Sequence, residues 1–412
     1  MKVVGIIAEY NPFHFGHLYH LKTSQKITGA DHVVCVMSGN FVQRGEPAVV
    51  NKWARAEMAL KCGADLVVEL PVVFSLSSAE FFALGAVKLL TQMGIVDFLC
   101  FGSESGKLEE IQKIGMLLSS EPLELQKLIK TEVDKGLVFP KARANALVRF
   151  LGNNVNDLVI KPNNILGIEY IKAIHKLKSS IKPVTIKRIG ADYNSETIDG
   201  RIVSAKALRN LLTGKHTDIN TLYRFLPLTV FEILKKHYHD NLCPVVAEDF
   251  TLLVLGLLRR ASLDELKHCM DVSEGLHNRI KKAAYRASSF KDLIKKIKTK
   301  RYTQTRIQRS VFQFMVGIKK ADIKEASKID TPLYIRVLGF NKKGRYLLKK
   351  IKNASSIPII TKVANYKKLS HPLIKQLISR DIMATDLYSL AYKNSQTRIG
   401  GQDYYTGPII ID

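Results

Sequence analysis

The chain has 412 residues, 46% hydrophobic and 24% charged, and 63 Lys and Arg against 37 Asp and Glu give a formal net charge of +26. That length and apolar content allow two or three domains with a real core, and the charge points to a polyanionic partner. The composition argues against a secreted or membrane-spanning chain: the five cysteines (Cys35, Cys62, Cys100, Cys243, Cys269) follow no disulfide spacing, no basic-then-apolar leader is visible, and the longest largely apolar run, residues 250–258, is too short for a bilayer. A reduced, cytoplasmic setting is the expectation.

The charge is unevenly spread. Residues 1–200 carry 23 Lys and Arg against 20 Asp and Glu, or +3, whereas residues 201–412 carry 40 against 17, or +23. A near-neutral front half joined to a basic back half predicts a catalytic domain followed by a polyanion-binding one, nucleic acid being the favoured polyanion.

Residues 3–8, VVGIIA, have the length and β-branched content of a buried strand. Asn11 and Pro12 punctuate a turn. His14, Gly16 and His17 then form His-x-Gly-His ahead of a helical pattern over 18–27. Strand, turn and helix start in that order make an anion site, because exposed N–H groups and the positive end of the helix dipole attract phosphate. Gly16 lets backbone approach a ligand, and the two imidazoles supply donors to phosphate oxygens. Two other readings stay open. The histidines can cap the helix or fill the core, or His14, His17 and His20, at spacings of three, can hold a metal, although no Cys or carboxylate stands nearby at zinc-ligand spacing.

Further strands are expected at 32–37, 66–69, 96–101 and 184–189, with helices at 52–62 and 79–93 and a helical insertion over about 106–160. This alternation predicts a parallel α/β sheet with helices on both faces and a ligand crevice at the carboxyl ends of its strands. Strand ends then bring together the histidine motif, Ser38-Gly39-Asn40 and Gly102-Ser103-Glu104. Arg44, in the loop GNFVQRG, meets an anion or is simply solvated. Glu69 faces the crevice or caps the sheet edge. Pro162-Asn163-Asn164 reads as a helix start with one Asn as N-cap and the other free for a second task. Arg188 ends the last of these strands. Ser204 reads as another N-cap, with Lys206 and Arg209 in the first two turns, where cations oppose the helix dipole unless an anion is close.

From residue 216 the pattern is mainly helical: 222–237, 247–261, 273–286, 290–298 and 305–318. Lys281, Lys282, Arg286, Lys295, Lys296, Arg301, Arg306 and Arg309 lie in a dense basic stretch interrupted by Tyr285, Phe290 and Tyr302. Cations supply phosphate affinity and aromatics stack on unpaired bases. Strands at 333–340 and 357–361 flank a helix at 342–351 as a small α/β element. The expected division is a catalytic domain over 1–215 and a basic, mainly helical domain over 216–412.

HFGH on the first strand with VSAKALR later resembles the nucleotidyltransferase superfamily, whose Rossmann-like, HIGH-type fold is shared with class I aminoacyl-tRNA synthetases. Ser204, Leu208 and Arg209 fit that superfamily's second motif, and Lys206 stands where threonine is usual. Longer blocks, among them GIIAEYNPFHFGHLYHL, VMSGNFVQRGEPAVVNKWARAEMAL, CFGSE, KPNNILGIEYIKAI, IKRIGADYNS and DLYSLAYKN, resemble the bacterial tRNA(Met) cytidine acetate ligase family over nearly the whole chain. The resemblance implies an enzyme that forms acetyl-adenylate from ATP, with accompanying Mg²⁺, and acetate, releases pyrophosphate, and passes the acetyl group to N4 of the wobble cytidine of elongator tRNA(Met). It implies ATP contacts at Ile7, Ala8, Glu9, Tyr10, Asn11, Pro12, Phe13, His14, Phe15, Gly16, His17, Leu18, Tyr19 and His20. Gly102, Asn163, Asn164, Arg188, Ile189, Ser204 and Arg209 complete the implied ATP site. His14 and His17 are the expected catalytic pair, and the basic stretch is the expected tRNA surface. A small-substrate adenylyltransferase and a non-catalytic RNA-binding protein on a relic nucleotide fold remain the alternatives. The first leaves the basic half without a purpose, and the second leaves HFGH and Arg209 without one.

Overall fold

The computed structural model describes residues 1–188, 202–214 and 218–412. Ten strands form: β1 (Val3–Ala8), β2 (His32–Ser38), β3 (Phe41–Val42), β4 (Glu46–Pro47), β5 (Leu66–Leu70), β6 (Phe98–Ser103), β7 (Lys182–Lys187), β8 (Ile335–Phe340), β9 (Ile359–Ile360) and β10 (Ile409–Ile410). Eight build one sheet in the order β10-β8-β5-β2-β1-β6-β7, with β9 also on β8, while β3 and β4 pair as a small hairpin. The five strands β5-β2-β1-β6-β7 are parallel, with β1 central and in register with β2 from Val3↔His32 to Ala8↔Met37.

The sheet is buried on both faces, which is why its strands read as continuous apolar runs. Val3, Val34, Val36, Leu66 and Val68 point into one hydrophobic cluster, and Val4, Ile6, Val33, Cys35, Met37 and Val67 into the other. Each such fully buried aliphatic side chain contributes roughly 1.5–3 kcal/mol.

Several bounds differ from the pattern for identifiable reasons. The first helix, Phe15–Thr28, starts three residues early because the His14 ring caps it. β6 starts at Phe98, not 96, since Asp97 is occupied with β1: its carboxylate accepts from Val3 N (2.7 Å) and its own N–H bonds Val3 O (2.9 Å). β7 is Lys182–Lys187, and residue 189 lies outside the described residues. The helix expected over 222–237 is two pieces, a 3₁₀ turn Ile219–Phe225 and a helix Leu228–His239, divided at Pro227. The insertion before β7 is helical as expected, with helices Leu108–Ser120, Leu123–Asp134, Phe139–Leu151 and Asn156–Ile160 leading into Pro162–Lys176.

The back half is mainly helical, but its small α/β element is not free-standing. β8 pairs antiparallel with β5, setting Arg336 beside Glu69. The same hydrophobic cluster holds Val34 and Leu89 from the front half and Phe312 and Tyr388 from the back half. The long helix Pro372–Ser389 bonds across that divide, where Asp381 accepts from Val72 N (2.7 Å) and Tyr388 donates to Ala48 O (2.6 Å). No helix among the described residues is long and apolar enough to cross a membrane.

Candidate active site

At the carboxyl end of β1 the chain turns sharply. Tyr10 holds φ at +47° and the Asn11–Pro12 bond is cis. The left-handed backbone costs a non-glycine residue roughly 1–2 kcal/mol, offset here by packing: the Tyr10 ring lies 4.7 Å from Phe13 and its hydroxyl 3.5 Å from Cys35 Sγ. Asn11 is buried and accepts from Val49 N (2.8 Å). Ile7, Ala8 and Glu9 lead into this turn half-buried, and Phe15, Gly16, Leu18 and Tyr19 continue from it half-buried on the first helix. The Glu9 carboxylate accepts from Gln43 N (2.9 Å), and burial holds its pKa above the ordinary value.

His14 is both the helix cap and the wall of the site. Its Nδ1 accepts from Gly16 N (3.0 Å), so the proton of the neutral ring sits on Nε2, which is left to donate. His17 stacks on it, with centroids 3.8 Å apart and planes at 27°. A Cβ at Gly16 would stand 2.8 Å from His14 Cε1, so glycine is required for the pair to close. Burial pushes the imidazoles down, with further lowering from Arg188: His14 to about 3, His20 to about 4, and His17 well below its ordinary value. The rings are therefore neutral donors at physiological pH. His17 Nδ1 and His20 Nε2 are buried without a partner among the described residues, as expected of groups awaiting a polar ligand. No group of three or more His, Cys, Asp or Glu suited to a metal ion occurs among the described residues.

Arg209 closes the other side. Ser204 caps its helix, Ala205–Leu212, by accepting from Ala207 N (3.2 Å). Arg209 then donates to Asn11 O (3.0 Å) and pairs with Glu46 at 3.7 Å, bringing the two sequence motifs into contact. Lys206 points to solvent. Arg188 is exposed at the end of β7, where its N–H bonds Ser103 O (2.9 Å), and a Cβ at Gly102 would stand 3.3 Å from its Cγ. Ile189 lies outside the described residues. Arg44 is exposed in the β3–β4 loop.

The Pro162-Asn163-Asn164 start is capped differently from the expectation. Lys161 occupies the N-cap position, and the cap is Glu104, two residues beyond Gly102. Its carboxylate accepts from the backbone N of Asn163 (3.1 Å) and of Asn164 (2.8 Å), and from Asn163 Nδ2 (2.6 Å). Asn164, fully buried, returns the favour by accepting from Glu104 N (3.0 Å) and Ser105 N (3.2 Å). Neither Asn is the cap because a carboxylate at the helix's positive end outcompetes both.

Two residues that the pattern did not single out hold the crevice in shape. Arg55 is fully buried. Its guanidinium donates to Val50 O (3.0 Å), Glu9 O (2.7 Å), Ser38 O (3.0 Å) and Gly39 O, so one side chain ties together the carboxyl ends of β1 and β2. Burial lowers its pKa to about 10, still protonated. Lys52 is fully buried too, bonded to Glu69 (2.9 Å) and Asp403 (2.8 Å); burial pushes its amine down, and these carboxylates more than reverse the effect. Glu69 therefore neither faces the crevice nor caps an edge. It is spent in an internal ion cluster with Lys52, Asp403 and Arg336. Helix Lys52–Lys61 is buried nearly all round although it carries Lys52, Arg55, Glu57 and Lys61, so a cation inside it needs a buried partner, and no local pattern announces that burial.

The basic stretch divides. Arg309 is buried and paired with Asp271 (2.7 Å), Arg306 donates to Asp271 O (2.9 Å) and Ser273 Oγ (2.7 Å), and Lys281 bonds the carbonyls of Leu258, Arg259 and Ala261. These three hold helices together. Lys296 pairs with Asp292 and Arg301 with Glu274. Lys282, Arg286 and Lys295 are exposed and have no carboxylate partner among the described residues. Of the three interleaved aromatics only Tyr285 is exposed; Phe290 and Tyr302 are core.

With this geometry in view, residues 1–403 match the family described as HIGH Nucleotidyl Transferase. A tRNA(Met) cytidine acetate ligase from Acetivibrio thermocellus is 47% identical over all of both chains, and one from Caldanaerobacter subterraneus is 48% identical over 96% of each. The chain belongs to the tRNA(Met) cytidine acetate ligase family. The family fold is seen in the Thermotoga maritima TmcAL crystal structure bound with alpha-thio ATP, which superposes with a TM-score of 0.93 at 38% identity and full coverage of both chains. The apo form superposes with a TM-score of 0.94.

Proposed function

We propose that the chain is an ATP-dependent ligase that activates acetate and acetylates a tRNA cytidine. The observation that carries this reading is the neutral, stacked His14–His17 pair at the positive end of the first helix, in a chain whose full-length relatives are named for that reaction. ATP enters with Mg²⁺ on its phosphates as part of the substrate. His14 Nε2–H, His17, the helix start and the Arg188 and Arg209 guanidiniums neutralise charge at the phosphates. Acetate, already ionised, needs no general base: one of its oxygens attacks the α-phosphorus, the bond to the β-phosphate oxygen breaks, and pyrophosphate leaves. The cytidine N4 amine then attacks the acetyl carbonyl, AMP departs with the carbonyl–oxygen bond electrons, and the amine loses a proton.

Lys282, Arg286 and Lys295, exposed on the helices Leu276–Arg286 and Phe290–Ile297, supply phosphate affinity for the tRNA. A tRNA substrate makes the cytoplasm the working compartment. Acetate-dependent exchange of labelled pyrophosphate into ATP tests the first half-reaction without RNA. Exchange that needs acetate supports the reading; no exchange with any carboxylate, despite ATP binding, overturns it.

A further inference from the structure

A segment that the proposed reaction leaves unused is the carboxyl-terminal loop whose one-turn helix, Gln402–Tyr405, carries Tyr404 and Tyr405. It is held firmly. Gly401 N donates to Asp386 Oδ1 (2.6 Å) and Gln402 Nε2 to Thr397 O (3.2 Å). Asp403, buried at 2% exposure, anchors it through Lys52 Nζ (2.8 Å) and Arg336 Nη2 (3.1 Å).

That anchor fixes its location. Lys52 also bonds Glu69, at the carboxyl end of β5, and its N–H donates to Asn40 Oδ1 (2.9 Å), just past the carboxyl end of β2. The loop therefore sits on the same rim of the sheet as the histidine pair, and β5 is two strands from β1, about 10 Å at the usual strand spacing. From this fixed base two aromatic rings face solvent, Tyr405 at 66% and Tyr404 at 44% exposure. Lys362, Lys367 and Lys368 are exposed in the segment packed against it, with no carboxylate partner among the described residues. Rigid exposed rings amid unpaired cations are the combination that unpaired bases select, since every base has a face to stack and a phosphate to neutralise. The basic stretch has one exposed ring, Tyr285, and not two side by side, because Phe290 and Tyr302 are buried.

We propose that Tyr404 and Tyr405 form a stacking platform for unpaired bases of the RNA substrate, beside the nucleotide that reacts; this rests on the ligase reading above. The platform explains how an anticodon-loop base is held out of its stack at the rim, while the cations of the helices Leu276–Arg286 and Phe290–Ile297 hold other parts of the RNA by its phosphates.

Dissociation constants of the full-length protein for an unmodified tRNA(Met) transcript provide the test. Tyr405→Ala is expected to weaken binding roughly tenfold, and Tyr404→Ala/Tyr405→Ala further. Tyr405→Trp keeps or improves affinity, whereas Tyr405→Leu, apolar but without a π face, is as weak as alanine. The slope of log affinity against log salt stays at its wild-type value in Tyr405→Ala, because no cation is lost. Wild-type affinity in the double alanine variant, or full affinity in Tyr405→Leu, overturns the platform. Failure of the ligase reading shows up separately, as missing acetate-dependent exchange by the wild-type protein in an assay that contains no RNA.

Discussion

Two side-chain rings and one missing Cβ set the shape of the crevice. His17→Ala is expected to abolish pyrophosphate exchange while leaving tRNA affinity largely intact, because the exposed cations Lys282, Arg286 and Lys295 lie on other helices, Leu276–Arg286 and Phe290–Ile297. Wild-type exchange in that variant removes the histidines from the mechanism. Gly16→Ala should lower exchange on the order of a hundredfold with little loss of fold, since the new methyl pushes on His14 Cε1 from 2.8 Å. The histidines also carry a pH signature. The folded chain keeps His14 and His20 neutral down to about 3 and about 4, against an ordinary value of 6.5, whereas the unfolded chain takes up those protons near 6.5. Stability is therefore complete above pH 6.5 and lost as pH falls from there towards 4. Melting temperatures between pH 7.5 and 5 should drop less in His20→Phe than in the wild type. The strand, turn and helix start that bring His14 and His17 together were legible because residue types and spacing mark them. Asn163 and Asn164 were misread because their partner, Glu104, is some 60 residues away and no local pattern announces it.

At the scale of elements, the crevice depends on loops that have little regular structure of their own. Arg55 replaces the missing backbone partners of four carbonyls at the ends of β1, β2 and the turn before its own helix. Arg55→Met leaves them unpaired, and at roughly 1–3 kcal/mol per buried unsatisfied group the expected loss is at least about 3 kcal/mol, read as a shift in the urea midpoint. A midpoint within error of the wild type would mean water or neighbouring groups satisfy those carbonyls. The parallel strands were readable from the sequence to within two residues, since burial on both faces writes continuous apolar runs. Ser204 was readable as a helix cap and the histidines as one alternative, but Glu104 was not, because it caps the helix Pro162–Lys176 from some 60 residues away and not from the position where Ser, Thr, Asp or Asn is usually sought.

Across the whole molecule, charge and core are divided along different lines. The excess of cations lies in residues 201–412, yet the sheet and its larger cluster draw on both halves. Composition revealed the first division; the second needed β8, whose antiparallel pairing with β5 joins residues some 270 apart. Lys282→Glu/Lys295→Glu should weaken tRNA binding and flatten its salt dependence by about one unit or more of slope. Unchanged affinity would move the RNA surface elsewhere. The buried Lys52 has a consequence in time. Its partner Glu69 is made soon after it, but Asp403 follows 351 residues later, and Arg336 reaches the cluster only with β8. A nascent chain that has already produced every residue of the histidine motif still carries the Lys52–Glu69 pair without its contacts to Asp403 and Arg336. The order of synthesis thus leaves the carboxyl ends of β2 and β5 without their full set of buried contacts until residue 403 has been made.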